Sequence, residues 1–289
     1  GQQNIYKINL VNQKAYQDFI DLLYLKAYSI ATIKTYTVEF AQLLYLIKAK
    51  PVDKLTIDQL KSYLLYCLQV LKLSENQVHN RINAIKFYYE KVLKQPQLAI
   101  EIPRPKKPGL LPKVIHPEDI AKMIKQTVNL KHKTLLMLAY GMGLSVSEVT
   151  NLAISDVDSK NMQVHVRGGK GKMDRYANLP AVILPILRTY YLEYKPNKYL
   201  FEGQSNEKYS VRSAQQVFKK SLLRAKINKN VGIHSLRHSF ATHLLEQGTD
   251  ISYIQKLLGH ADIKTTLIYA QVSKKDIKAV ISPLDKIKW

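Results

Sequence analysis

The sequence holds a single cysteine, Cys67, set in the apolar stretch YLLYCLQVL. No disulfide framework and no thiolate metal cluster can form from it. A reducing compartment, the cytoplasm, is the expectation. Acidic residues are also scarce: 22 Asp and Glu stand against 44 Lys and Arg, a formal charge of +22. Such an excess favours an anionic polymer as partner, nucleic acid first and an anionic membrane surface second. No apolar run approaches the roughly 18–20 residues of a membrane span, and the opening GQQNIYKINL has no apolar secretion-signal core. A phosphate-binding GxxxxGK[ST] loop is missing too. RGGKGKMD has the glycines and a lysine but neither the spacing nor the Ser/Thr. Strands do not alternate with helices as in a nucleotide-binding fold, so use of ATP is not expected.

A 46% hydrophobic content over 289 residues is enough for a substantial core. The length favours two domains or one large one. In the first hundred residues Ile33, Tyr36, Phe40, Leu44 and Ile47 follow helical spacing, as do Val78, Ile82, Ile85 and Tyr89. Thr56 and Ser74 read as N-caps. Four helices are predicted, over about 12–26, 30–48, 57–72 and 75–94. IEIPRPKKPGLLPKV then brings four prolines and four bases, Arg104, Lys106, Lys107 and Lys113. Proline excludes helix interiors, so this reads as a basic linker able to lie along a phosphate backbone, or as a plain solvated connector. The expected organisation is an N-terminal helical domain over 1–99, a linker over 100–113 and a second domain over 114–289. In the second domain HPEDIAKMIKQT starts a helix with Pro and acids, and KTLLMLAYGMG reads as a buried helix ending at glycine. MQVHVRGGKGKMDRYANLP is the strong hairpin signal, Val164 and Val166 alternating with His165 and Arg167.

GIHSLRHSFATHLLEQG packs three histidines and an arginine into ten residues, His234 to His243. It could be a metal site, an anion site, or a core helix with incidental histidines. His234 and His238 have zinc-like spacing, but no glutamate follows His234 and Arg237 would set a fixed positive charge beside the ion, so no metal is expected. His234 and Arg237, at i and i+3, share a face, while Leu236, Phe240 and Leu244 fall on an inward one. An Arg fork with a neighbouring His suits an anionic phosphorus centre. His238 and His243 read as structural.

Further on, IQKLLGHADIKTTLIYAQVS places His260 after Leu-Gly and Tyr269 nine residues later. His-x-x-Arg, then Leu-Gly-His, then Tyr, in this order and spacing, resembles the signature of the tyrosine recombinases, site-specific DNA recombinases of the lambda-integrase and Xer type. The resemblance covers nearly the whole chain. It implies a mainly α fold with a small antiparallel β-sheet: a helical, SAM-like core-binding domain followed by a catalytic domain. It further implies Tyr269 as the nucleophile that forms a 3′-phosphotyrosyl bond, without metal or other cofactor. Arg237 and His260 look like ligands of the non-bridging oxygens, His234 like the proton-handling or phosphate-positioning histidine, and Lys170 like the hairpin lysine that protonates the leaving 5′-oxygen. The implied partners are double-stranded DNA recombination sites. The implied assembly is a homotetramer on DNA from monomers in solution, with accessory DNA-bending proteins, and no membrane is involved. In relatives the segment after the nucleophile docks on a neighbouring protomer; here that segment carries Ile277, Val280 and Ile281.

One position departs from the family. An arginine usually stands just before Ser-Glu near the start of the catalytic domain; in AYGMGLSVSEVTNL that place is Ser145. Serine cannot act as a bidentate cation, and one missing donor costs about 10²–10³ in rate. Three explanations stand: an engineered substitution, recruitment of another cation, or a DNA-binding protein that cuts poorly. Arg167 is the first candidate substitute and Arg175 the second. For DNA contact, Gln77, Asn80 and Arg81 form a polar face on the fourth helix, and Thr32, Lys34 and Thr35 lie near the start of the second. A recombinase or integrase of a mobile element is thus the leading reading. An impaired binder of the same fold comes next, and a DNA-relaxing topoisomerase last.

Overall fold

The computed structural model describes residues 8–105, 111–168, 174–260 and 262–270, with the side chain of Ser205 left aside. Lys106, Lys107, Lys170 and the tail with Ile277, Val280 and Ile281 lie outside the described residues. The chain divides into two compact units, 1–109 and 110–289.

The first unit is helical. It holds α1 (Leu10–Leu25), α2 (Ile30–Ile47), α3 (Ile57–Gln69), α4 (Glu75–Phe87) and α5 (Pro96–Glu101), with a wider π turn continuing α4 over Tyr88–Val92. The four predicted helices are all present, their ends shifted by a few residues. Helix α5 lies beyond the four predicted helices and ends inside the expected linker; Pro96 sits at its first turn, where a missing N–H costs nothing. Thr56 and Ser74 each close a capping box, with Gln59 and Gln77 answering at the third helical position. The apolar stripes meet in one core, where the Phe19 and Phe40 rings stack at 4.3 Å and Phe87 meets Phe19 edge-on at 5.4 Å. Asn12 is buried because its amide fastens α1 to the α2–α3 connection. It donates to the Lys48 and Lys50 carbonyls and accepts from the Val52 N–H.

Arg81 corrects the expected DNA-contact face of α4. Its guanidinium is buried, donating to Glu39 at 2.8 Å and to the Cys67 sulfur at 3.4 Å, and lies over the Tyr63 ring. A buried cation must be paired, so this arginine holds helices together and does not face DNA. Gln77 is exposed but serves the Ser74 cap, and Asn80 is half-buried. On α2, Lys34 is exposed, Thr35 donates to the Ala31 carbonyl and the Thr32 hydroxyl is bonded to Ser29. Arg104 is exposed and donates to Asn83.

The second unit runs α6 (Pro117–Lys125), α7 (Leu130–Gly141), α8 (Val146–Asn151), β1 (Val157–Asp158), β2 (Gln163–Val166), β3 (Arg175–Asn178), α9 (Ile183–Tyr194), α10 (Val211–Arg224), α11 (His234–Glu246), α12 (Ile251–Leu258) and α13 (Lys264–Leu267). The sheet is antiparallel in the order β1-β2-β3. The β2–β3 hairpin is where the alternation put it; the two-residue β1 carried no sequence signal. Val164 pairs with Ala177 and Val166 with Arg175. Cross-strand partners share a face, so Arg175 lies on the buried side with the two valines, and His165 and Tyr176 lie on the other.

Helix α7 leaves its last turn through Gly143, whose φ of +60° strains any other residue. A Cβ there would stand 2.3 Å from the Phe240 ring. That contact sets α11 directly against the α7–α8 turn. The hydroxyl of Tyr140 and Nδ1 of His243, 2.9 Å apart, form a second link between α7 and α11. Among the described residues no helix is long and apolar enough to cross a membrane.

Candidate active site

Ser145 is the N-cap of α8. Its hydroxyl accepts from the Glu148 N–H, and the Glu148 carboxylate accepts from the Ser145 N–H at 2.8 Å. The S-x-x-E spacing therefore pins the Glu148 carboxylate at the mouth of the helix. Arg175 reaches it from β3, Nη1 donating to Oε1 at 2.9 Å and Nη2 to Oε2 at 3.1 Å. Arg237 reaches it from α11, Nη1 donating to Oε2 at 3.0 Å and to the Gly143 carbonyl at 3.0 Å. All three side chains are buried, so two guanidiniums share one carboxylate in a place of low dielectric. Burial pushes the Glu148 carboxyl up. The Arg175 bonds, the charges of Arg237 and Arg175 and the Ser145 N–H outweigh it and bring the group from 4.5 down to about 2. For Arg237, burial pulls the guanidinium below the ordinary arginine value and Glu148 opposes; an arginine stays charged regardless.

The same two arginines cap α12. A helix C-terminus leaves carbonyls without partners and a partial negative charge. Here Arg175 Nε donates to the Leu257 carbonyl at 2.7 Å, and Arg237 Nη2 donates to the Leu258 carbonyl. The glycine of Leu-Gly-His follows from this. Gly259 ends α12 at φ +66°, and a Cβ there would press on the Arg175 guanidinium at 3.1 Å. His260, one residue on, is held by Thr266, its Nδ1 lying 2.8 Å from the hydroxyl.

Tyr269 closes the group. Its ring is buried in a small apolar cluster with Ala241, Ile254 and Leu258, backed by Phe240, Leu244 and Ile268. Its hydroxyl lies 3.2 Å from His238 Nδ1, and its ring runs nearly parallel to that of His260, centroids 6.4 Å apart. Burial raises the Tyr269 hydroxyl above 10.0; the charge of Arg237 and a hydrogen bond from it pull the other way. His234 stands exposed on the first turn of α11.

The sequence-read residues Arg237, His260 and Tyr269 are thus brought together, and His234 sits one helical turn from His238. Arg167 is not part of the group: its guanidinium donates twice to buried Asp156, at 3.0 and 2.9 Å, and its side chain is 60% exposed. Arg175, the second candidate, is the one beside Arg237. The sequence alone assigns Glu148 no role, although the Ser145-x-x-Glu148 spacing is that of a capping box. His238 reads as structural from the sequence, and nothing in the spacing says which histidine meets the tyrosine. Among the described residues no group of three or more His, Cys, Asp or Glu side chains could hold a metal ion.

Comparison with known proteins fits this arrangement. The phage integrase family matches residues 113–276, and the phage integrase N-terminal SAM-like domain matches residues 16–98. The chain belongs to the phage integrase family. This integrase-family chain is 36% identical over 279 residues to the tyrosine recombinase XerA of Pyrococcus horikoshii, covering 94% of each. It is 34% identical over 197 residues to the tyrosine recombinase XerD of Staphylococcus epidermidis, covering 64% of this chain and 66% of that one. A crystal structure of XerA recombinase superposes with a TM-score of 0.52 at 27% identity, over 89% of this chain and 93% of that chain. The XerH site-specific recombinase bound to a palindromic difH substrate shares the fold, with a TM-score of 0.72 at 21% identity over 86% and 78%. The integrase-family chain is therefore a tyrosine recombinase, an enzyme of site-specific DNA recombination, built as a SAM-like helical domain and a catalytic domain.

Proposed function

We propose that this chain cuts and rejoins DNA through Tyr269 although it has Ser145 where its family has an arginine, and that Arg175 is the second guanidinium of the site. The observation that carries this is the shared carboxylate: Glu148 holds Arg175 and Arg237 side by side against the end of α12, and the Arg237 charge acts on the Tyr269 hydroxyl. A guanidinium has five N–H groups. The contacts to Glu148, Gly143 and the helix carbonyls take three on each arginine, and N–H groups remain on both for phosphate oxygens.

Tyr269 attacks the scissile phosphorus, its O–P bond forms, and the 5′-oxygen leaves with a proton. Arg237, Arg175 and His260 bind the non-bridging oxygens, where negative charge grows in the transition state. His234, exposed at the start of α11, positions the phosphate, and Lys170 supplies the proton to the leaving oxygen. The phosphotyrosyl bond conserves the energy of the broken one, so rejoining needs no nucleotide. The chain acts in the cytoplasm on recombination sites of a mobile element. It works as a tetramer assembled on DNA from monomers, with accessory DNA-bending proteins. Thr32, Lys34, Thr35, Gln77, Asn80, Arg104, Lys106 and Lys107 contribute to DNA contact, mostly with phosphates.

Ser145 favours a second reading, a member of the fold that binds sites and cuts poorly. Strand exchange separates the two. Two labelled duplexes carrying the element's ends are expected to give recombinant joints with this chain and none with Tyr269→Phe. Relaxation of supercoils without joints would mark a topoisomerase, and tight binding with neither product would mark the impaired form. Ser145→Arg removes an N-cap, so a loss of about 0.5–2 kcal/mol in stability is expected in thermal unfolding. Because Arg175 already serves the site, cleavage by Ser145→Arg is expected to rise by less than about tenfold, short of the 10²–10³ that a missing donor costs where nothing replaces it.

A further inference from the structure

Deprotonation of the nucleophile needs an acceptor at the Tyr269 hydroxyl, and with His234 positioning the phosphate that step has no residue assigned to it. The Tyr269 hydroxyl lies 3.2 Å from His238 Nδ1, and the Arg237 charge also acts on it. Arginine carries donors only, so Arg237 cannot receive the hydroxyl hydrogen. His238 Nδ1, 3.2 Å away, can accept that hydrogen when the imidazole proton sits on Nε2. Other groups near the hydroxyl are otherwise engaged: Glu148 is shared between the two arginines, and His260 Nδ1 faces Thr266.

We infer that His238 is the general base of strand cleavage, taking the Tyr269 proton on Nδ1 as the phenol oxygen attacks phosphorus. The inference rests on Tyr269 being the nucleophile, as proposed above. In the forward step the O–H bond breaks, the proton passes to Nδ1, the O–P bond forms and the 5′-oxygen departs with the Lys170 proton. On rejoining, the imidazolium returns its proton to the departing tyrosine oxygen. The surroundings suit a base that is free at neutral pH. Burial, then His234 and Arg237 on the same helix, hold His238 below the ordinary histidine value of 6.5. The groups facing it from outside α11 are Tyr269 and, across that ring, His260. None of these four brings a negative charge before the tyrosine ionises, so the imidazole stays unprotonated until the phosphate and the developing phenolate arrive. His234 is then left to the phosphate, and the two histidines one turn apart divide the work.

The test has two arms on the full chain. The first reads the imidazole nitrogens of the DNA-free protein, labelled with ¹⁵N-histidine, by NMR. His238 is expected to be neutral with Nδ1 unprotonated, and that signal is expected to move in Tyr269→Phe. A protonated Nδ1 donating to the tyrosine would overturn the assignment. The second follows single-turnover cleavage of a nicked suicide duplex. His238→Ala is expected to slow cleavage by about 10²–10⁴, the usual contribution of a positioned base, with DNA affinity unchanged. His238→Asn places an amide where Nδ1 stood, so it keeps a hydrogen-bond partner but cannot accept a proton. It is expected to stay as slow as alanine at pH 7 and to speed up as pH rises towards the tyrosine's own ionisation. Parental rates from His238→Asn would reduce His238 to a packing and positioning residue. An absence of adduct from the parent chain would count against Tyr269 chemistry itself, while the NMR arm still decides which atom holds the proton.

Discussion

Glu148→Gln is expected to destabilise the catalytic unit by about 3–5 kcal/mol, the cost of breaking a buried ion pair from one side. The amide leaves two buried guanidiniums, Arg175 and Arg237, without the charge that holds them together. It also disrupts the α8 capping box, since one of its two polar atoms becomes a donor. For a unit of this size the loss corresponds to a melting-point drop of roughly 6–20 °C, readable by scanning calorimetry. The pH dependence follows from the same group. Its folded value of about 2 lies below the 4.5 of an ordinary glutamate, so its contribution is complete above pH 4.5 and is lost as pH falls towards 2. The parent should therefore lose stability across that window faster than Glu148→Gln does. DNA supplies another check. A phosphate between the arginines replaces part of the missing charge, so the gap between parent and variant is expected to narrow when site DNA is bound. A variant that melts with the parent would mean that the three side chains are not coupled.

Arg175→Ala is expected to slow single-turnover cleavage by about 10²–10³ or more, the cost of a lost oxyanion donor. Arg167→Ala is expected to cut within a few-fold of the parent, because Arg167 is bound to Asp156 on the other side of the hairpin. Arg175→Lys is not a rescue: an ammonium cannot hold both Glu148 oxygens and the Leu257 carbonyl from one rigid fork. Alanine also uncaps α12, so the assay belongs at a temperature where calorimetry shows both variants folded. If Arg167→Ala proves the slow one, the second guanidinium has been placed on the wrong residue.

The difference between those two arginines shows where the sequence stopped being legible. Alternation marked the hairpin and put Val164 and Val166 inward, but the register across the turn is not written in either strand. Only the pairing of Val166 with Arg175 shows that this arginine faces the core. Arg81 failed for a related reason. The helical repeat gave its direction on α4 but not the partner, Glu39 on α2, that draws it inside. The helices of the first unit were legible because caps and apolar spacing are local. The Leu-Gly-His glycine was legible as a motif, yet its reason, the Arg175 guanidinium lying over it, is tertiary. The histidines of α11 were visible as a cluster. Their division of labour depends on where Tyr269 returns to the helix, and no spacing along the chain encodes that.

With Ser145 in place, this chain is proposed to form a covalent bond to DNA through Tyr269. The most direct measurement is mass spectrometry of the protein–DNA adduct trapped on a nicked suicide duplex carrying the element's end sequences. The parent chain is expected to yield one nucleotide-bearing peptide, linked through a 3′-phosphate at Tyr269, and Tyr269→Phe to yield none. An adduct on a different residue, or one that forms only with Ser145→Arg, would contradict it.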